Sequence, residues 1–122
     1  MKIIAITQAR TGSTRFPNKI MNKIEDETLL SIHINRIKKS KKINSIIIAT
    51  TNKKKDDIIE HESNKLNVSC YRGEEEDVLD RFYWAAKSYK PDFVVRLTSD
   101  CPLIDPSLID MIIEATVNSK VD

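Results

Sequence analysis

Ile3-Ile4-Ala5-Ile6 is a short apolar run that leads, through Thr7, into Gln8-Ala9-Arg10-Thr11-Gly12-Ser13-Thr14-Arg15-Phe16-Pro17-Asn18-Lys19. The apolar run is typical of a buried strand. The polar segment after it carries two arginines, a lysine, hydroxyl side chains and a glycine. Ligands of α/β sheets bind beyond the carboxyl ends of the strands, and these cations together with free backbone amides suit a polyphosphate. The loop therefore predicts a phosphate site, with a solvated basic turn as the alternative.

Composition limits the classes of protein that the chain can be. Its 122 residues are one domain's worth of sequence (residues 1–122), of which 40% are hydrophobic and 31% are charged. A formal charge of +2 argues against nucleic-acid binding, and no apolar run approaches the roughly 18 residues of a membrane span. The two cysteines lack metal-ligand spacing, which favours a reducing cytoplasm. We expect the clustered lysines to be solvated edges next to turns: Lys38, Lys39, Lys41, Lys42, Lys53, Lys54 and Lys55.

Short apolar segments alternate with helical patterns along the chain. The predicted strands are Ile3–Ile6, Ile46–Ala49, Val68–Tyr71 and Phe93–Leu97. Between and after them, four apolar stripes recur at helical spacing: Leu30, Ile34 and Ile37; Ile58, Ile59 and Leu66; Val78, Leu79, Phe82, Ala85, Ala86 and Tyr89; and Leu108, Ile109, Ile112 and Ile113. The last helix is predicted to open with Asp105 as N-cap and Pro106 as its first residue. This order predicts an α/β fold with a mainly parallel sheet and helices on both faces. Because four strands would leave a bare edge, we expect the chain to be the front part of a longer fold.

A second polar segment follows the strand predicted at Phe93–Leu97. It contains Asp100, which we expect in the same carboxyl-end layer as the basic loop. A carboxylate that faces bound phosphates can hold Mg²⁺, which is commonly bound by one or two carboxylates and phosphate oxygens. The alternative is that Asp100 is a turn residue ahead of Pro102.

Other strand ends offer weaker signals. Arg72 and Gly73 can reach the same crevice, whereas the acidic run Glu74–Asp77 is expected at a helix N-terminus. Thr50-Thr51-Asn52 can hydrogen-bond a base or ribose, although turn chemistry explains these residues nearly as well. The two histidines, His33 and His61, have no partner at catalytic spacing and are interpreted as structural.

These segments together resemble a known enzyme family. The matching motifs are Gln8-Ala9-Arg10-x-Gly12-Ser13-Thr14-Arg15-x-Pro17-x-Lys19, Ala49-Thr50-Thr51, Arg72-Gly73-x-Glu75-x-Asp77-Val78-Leu79-x-Arg81 and Arg96-x-Thr98-x-Asp100-Cys101-Pro102-Leu103-Ile104-Asp105. In this order they are similar to the cytidylyltransferases, which include the CMP-KDO and CMP-acylneuraminate synthetases, and most similar to the branch of spore-coat polysaccharide biosynthesis. The resemblance covers the N-terminal part of such an enzyme.

The resemblance implies a three-layer α/β/α, Rossmann-like nucleotidyltransferase fold and the transfer of CMP from CTP to an acidic sugar, with release of pyrophosphate, for surface polysaccharide or glycoconjugate synthesis. Carried over position by position, Arg10 and Lys19 grip the phosphates as catalytic residues, with Gly12, Ser13 and Arg15 in the same nucleotide loop. Ala9 and Arg72 lie near the base and ribose, and Asp100 holds Mg²⁺. The family also implies a cytoplasmic homodimer of the full-length protein, with no nucleic-acid or membrane partner.

Two departures from the family limit this reading. Asn18 stands where the family usually has glycine, and the back half of the fold supplies the second metal ligand and most of the sugar pocket. We therefore expect weak or no catalysis by this chain alone. The competing classes are a module that binds a nucleotide without turning it over and a purely structural α/β domain.

Overall fold

The computed structural model describes residues 1–11, 21–98 and 104–119. Its strands are β1 (Ile3–Gln8), β2 (Lys23–Ile24), β3 (Glu27–Thr28), β4 (Ser45–Thr51), β5 (Ser69–Gly73) and β6 (Phe93–Thr98). The helices are α1 (Leu29–Ile37), α2 (Asp57–Lys65), α3 (Val78–Lys87) and α4 (Pro106–Ser119), and a single 3₁₀ turn (Lys54–Asp56) precedes α2. The predicted alternation of strands and helices is confirmed, and the β2–β3 hairpin is an addition that the sequence pattern did not indicate.

Four strands form one parallel sheet in the order β5-β4-β1-β6. The first strand is therefore central, and its residues Ile4 and Ile6 are fully buried. The observed strands run one to two residues further toward their carboxyl ends than the predicted ones. The reason is that Thr7, Thr50 and Thr51 are polar but fully buried, so that pairing continues beyond the apolar runs.

Helices cover both faces of the sheet, which makes three layers. On one face α1, α2 and α4 pack on the sheet through a core that contains Leu30, Ile34, Ile59, Ile109 and Ile113. On the other face α3 packs through Ala85, with Phe82, Ala86 and Tyr89 around it. The predicted α/β/α architecture with helices on both faces is thus confirmed.

The helices lie where the sequence predicted them, but some residues predicted to face the sheet do not. The last helix begins at Pro106, and the Asp105 carboxylate accepts a hydrogen bond from the Ser107 amide at 2.9 Å, as expected of a capping residue. Several residues assigned to apolar stripes are nevertheless exposed: Ile58, Val78, Leu79, Leu108 and Ile112. Their helices rest on the sheet along narrower lines of contact than the sequence pattern indicates.

Candidate functional site

The carboxyl ends of the strands meet at one edge of the sheet. Gln8 is level with Ala49 of β4 and with Thr98 of β6, and the last residue of β4, Thr51, is level with Gly73 of β5. Backbone pairing continues just past the strand ends, because the Ala9 amide donates to the Ala49 carbonyl at 2.9 Å. The chain therefore leaves β1, β4 and β5 at one edge of the sheet, which is the edge for which the sequence predicts a site.

The structure describes three of the predicted site residues. They are Ala9, which is buried, Arg10, which is exposed, and Arg72, which is half-buried. The others lie outside the described residues: Gly12, Ser13, Arg15, Lys19 and Asp100.

Arg10 follows the end of β1 and belongs to a cationic neighbourhood that also contains Lys53, Lys55 and Arg81. Within residues 1–11, 21–98 and 104–119, no hydrogen bond or ion pair occupies its guanidinium. The pKa of Glu75 is lowered by a hydrogen bond from Lys55 and, further, by the charges of Lys55, Lys53 and Arg10. Arg10 also lowers the pKa of the buried Arg81, second to the effect of burial. Three cations, Lys55, Lys53 and Arg10, thus act on the Glu75 carboxylate, while Asp56 and Asp77 add negative charge near Arg81.

Two lysines that we expected to be solvated edges belong to this neighbourhood. The Lys55 ammonium lies 2.7 Å from the Glu75 carboxylate and so joins the β4–α2 loop to the β5–α3 loop. Lys53 is close enough for its charge to act on the same carboxylate. Both lysines are exposed, as predicted, and Lys55 in addition forms this ion pair.

Arg72 faces α2. Its guanidinium donates to the Thr51 carbonyl at 2.8 Å, to the Lys53 carbonyl at 2.6 Å and to the Asp57 carboxylate at 2.7 Å. Burial lowers the pKa of Arg72, but the hydrogen bond and charge of Asp57 outweigh that effect and raise it. In this arrangement Arg72 ties β5 to the end of β4 and the start of α2, and its contact with a base or ribose stays a prediction.

Arg81 is a residue of the site to which the sequence analysis gave no role, although the resemblance motif included it. It is 2% exposed and reaches from α3 to the Glu74 and Glu75 carbonyls, both at 2.7 Å, and to the Gln8 side-chain oxygen at 3.0 Å. The stem of Arg81 also packs on Gly73, where an added Cβ would lie 2.9 Å from Arg81 Cγ. Arg81 thus joins the end of β1 to the loop after β5.

Asp56 is the second residue that the sequence analysis missed. Its carboxylate is fully buried and accepts hydrogen bonds from the Thr11 amide at 2.8 Å, from the Thr11 hydroxyl at 2.9 Å and from the Thr51 hydroxyl. Thr51 is therefore a structural residue, in agreement with the alternative of turn chemistry. No motif marks Asp56, because its two partners lie on other segments of the chain.

The two histidines lie on α1 and α2. His33 is fully buried, with its Nε2 3.1 Å from the Thr7 hydroxyl, and His61 is exposed. In the part of the chain that the structure describes, no group of three or more His, Cys, Asp or Glu side chains is placed to hold a metal ion. Nor does any helix there have the length and apolar character needed to cross a membrane.

The parallel sheet with helices on both faces is the fold of nucleotidyltransferases, and comparison with known proteins gives the family. The family model for cytidylyltransferases matches residues 4–122, so the chain belongs to the cytidylyltransferase family.

Individual relatives agree with this assignment. The chain is 41% identical over 124 residues to the spore coat polysaccharide biosynthesis protein SpsF of Bacillus subtilis, covering 98% of this chain and 52% of SpsF. A solved cytidylyltransferase from Leptospira borgpetersenii superposes with a TM-score of 0.94 at 39% identity, covering 99% of this chain and 51% of the other. A CMP:2-keto-3-deoxy-manno-octonic acid synthetase complexed with CTP shares the fold, with a TM-score of 0.84 at 16% identity and coverage of 99% and 49%. The chain spans about half the length of these relatives.

Proposed function

We propose that the protein binds CTP at the carboxyl edge of its sheet and serves the transfer of CMP to the hydroxyl of an acidic sugar, with release of pyrophosphate. The observation that carries this proposal is Arg10, an exposed guanidinium among Lys53, Lys55 and Arg81 at the point where the chain leaves the central strand. Membership of the cytidylyltransferase family and the CTP in the related synthetase support the choice of nucleotide.

In this proposal the cations hold the triphosphate and stabilise the departing pyrophosphate. Arg10 and Lys19 grip the phosphates, Gly12, Ser13 and Arg15 line the same loop, and Ala9 and Arg72 lie near the base and ribose. Phosphoryl-type transfer depends mainly on positioning and charge neutralisation, which is what a crevice of fixed cations supplies. The sugar hydroxyl attacks the α-phosphorus and the bond to the pyrophosphate oxygen breaks.

We further propose that Asp100 holds Mg²⁺ together with phosphate oxygens, and the ion would neutralise phosphate charge. Two observations support this assignment. Asp100 comes two residues after Thr98, which is level with Gln8 at the basic edge. A single carboxylate plus phosphates is also an ordinary donor set for Mg²⁺. Because CTP is made inside cells, we place the reaction in the cytoplasm, and we expect the full-length protein to act as a homodimer in surface polysaccharide or glycoconjugate synthesis.

Thermal unfolding with CTP, UTP, ATP and GTP, each with and without Mg²⁺, tests the nucleotide site. A ligand at a hundred times its dissociation constant stabilises the folded state by about 2.7 kcal/mol, which raises the melting temperature by several degrees. We expect a rise selective for CTP that Arg10→Ala abolishes. Lys65→Ala, which removes an exposed cation at the far end of α2, is the matched control and should keep the rise. If no nucleotide shifts the wild type, the proposal is wrong.

Pyrophosphate release separates an enzyme from a binding module. The chain is incubated with CTP, Mg²⁺ and a panel of acidic sugars, and pyrophosphate is measured. Release with one sugar identifies the acceptor. CTP binding without release from any sugar agrees with the weak or absent catalysis expected of this chain alone, and a nucleotide-binding module, the second function class that the sequence left open, gives the same result.

A further inference from the structure

Asp56 occupies the N-cap position of α2 but does not cap it. Capping aspartates ordinarily accept a hydrogen bond from the first amides of their own helix. The Asp56 side chain makes no such bond, and its oxygens instead accept from Thr11 and Thr51. The carboxylate is therefore turned from its helix toward the exit of β1.

The exit of β1 is held on both sides of Arg10. On the near side the Ala9 amide donates to the Ala49 carbonyl at 2.9 Å. On the far side both donors of Thr11, its amide and its hydroxyl, reach the Asp56 carboxylate, and the hydroxyl also lies 3.2 Å from the Lys55 carbonyl. The backbone at Arg10 is consequently fixed at two adjacent residues while its side chain remains exposed.

Burying a carboxylate is costly unless its hydrogen bonds are satisfied. Among the described residues, Asp56 has no ion-pair partner, and the hydrogen bonds from Thr11 and Thr51 satisfy it. A neutral residue would fill the same space at lower cost if packing were the only requirement. The Asp56 side chain does more than fill space, because its two oxygens accept from two separate segments, one oxygen from Thr11 and the other from Thr51.

We propose that Asp56 is a positioning residue for phosphate binding: it holds Thr11, and thereby presents Arg10 at a fixed point to the polyphosphate of the nucleotide. This inference rests on the proposed function. Asp56 itself does not touch the ligand. Its effect on CTP passes through the backbone at residues 10 and 11.

The test measures CTP affinity calorimetrically with wild type, Asp56→Ala, Asp56→Asn, Thr11→Val and Thr51→Val, well below each melting temperature. Asp56→Ala removes the acceptor and should weaken CTP binding about tenfold or more. Asp56→Asn keeps one acceptor oxygen for Thr11 and should restore affinity to within about threefold of wild type. Thr51→Val breaks the link from the carboxylate to β4, leaves the Thr11 contact in place and should also bind within about threefold.

A merely structural role gives a different pattern. It lowers the melting temperature of Asp56→Ala and Thr51→Val alike but leaves the CTP affinity of the folded molecules unchanged, and that result would overturn the inference. If Asp56→Ala does not fold, the comparison of Thr11→Val with Thr51→Val decides. Thr11→Val removes the hydroxyl bond and keeps the amide bond, so hydrogen exchange at residue 11 is measured beside the affinity. Weaker binding with faster exchange in Thr11→Val alone supports the inference, and faster exchange with unchanged binding refutes it.

Hydrogen exchange at the Thr11 amide separates this inference from the proposed function. We expect slow exchange in the wild type and in Asp56→Asn, and exchange faster by about tenfold or more in Asp56→Ala. If the wild type binds no nucleotide, the proposed function is wrong. Hydrogen exchange at the Thr11 amide then tests by itself whether Asp56 fixes Thr11. Equal Thr11 exchange in wild type and Asp56→Ala would refute it.

Discussion

Arg81→Ala should be among the most destabilising single substitutions at the basic edge. The side chain is 2% exposed and donates to the Glu74 and Glu75 carbonyls at 2.7 Å and to the Gln8 side chain at 3.0 Å. A hydrogen bond from a charged donor contributes about 1.5–3 kcal/mol, so three such bonds set an upper range of roughly 4.5–9 kcal/mol.

Two features of the structure reduce that range. Glu74 is exposed, so water can replace the guanidinium at its carbonyl. In the described part of the chain the Arg81 Nε is buried without a hydrogen-bond partner, and removing it relieves a desolvation cost. We therefore expect a loss of about 3 kcal/mol, and at about 4 °C per kcal/mol for a domain of this size the melting temperature should fall by roughly 10 °C.

Differential scanning calorimetry and urea unfolding measure both quantities. Arg96→Ala is the matched control, because Arg96 is an exposed arginine of β6 that lies 5.8 Å from the Phe82 ring centroid and should contribute no more than about 1 kcal/mol. If Arg81→Ala unfolds within about 2 °C of wild type, or no lower than Arg96→Ala, the reasoning from its buried hydrogen bonds is wrong.

Three further predictions follow from contacts around the sheet edge and the first helix. Gly73→Ala puts a Cβ 2.9 Å from Arg81 Cγ and should cost about 1–3 kcal/mol in urea unfolding, a cost that largely disappears in the Arg81→Ala background. Thr28→Ala removes the N-cap of α1 and should lower the free energy of unfolding by about 1 kcal/mol, whereas Thr28→Ser should lower it much less. The pKa of Glu75 is lowered in the fold, chiefly by the hydrogen bond from Lys55, so its contribution to stability is present above the pKa of the unfolded chain and is lost as the pH falls through the folded value. Lys55→Ala should therefore flatten the fall of melting temperature with acidification, and a parallel fall in both proteins would contradict this.

Local pattern was sufficient for most of the fold. The apolar runs at Ile3–Ile6 and Ile46–Ala49 predicted buried strands, and both lie in the observed sheet. The pair Asp105-Pro106 predicted the start of α4 because capping chemistry acts between adjacent residues. The side of a helix that faces the sheet was less predictable. Leu79 belongs to the apolar stripe predicted for α3 but is 75% exposed, since α3 packs on the sheet through Ala85.

The sequence by itself determined that parallel strands alternate with helices and that the basic loop beginning at Arg10 leaves a strand at its carboxyl end. Those features depend on residue type, spacing and chain direction, all of which are local. Only the tertiary structure decided that β1 is central, that Asp56 holds Thr11 across 45 positions and that Arg81 reaches Gln8 across 73. Such contacts leave no periodic trace in the sequence, because they arise when the sheet brings separate strand ends to one edge.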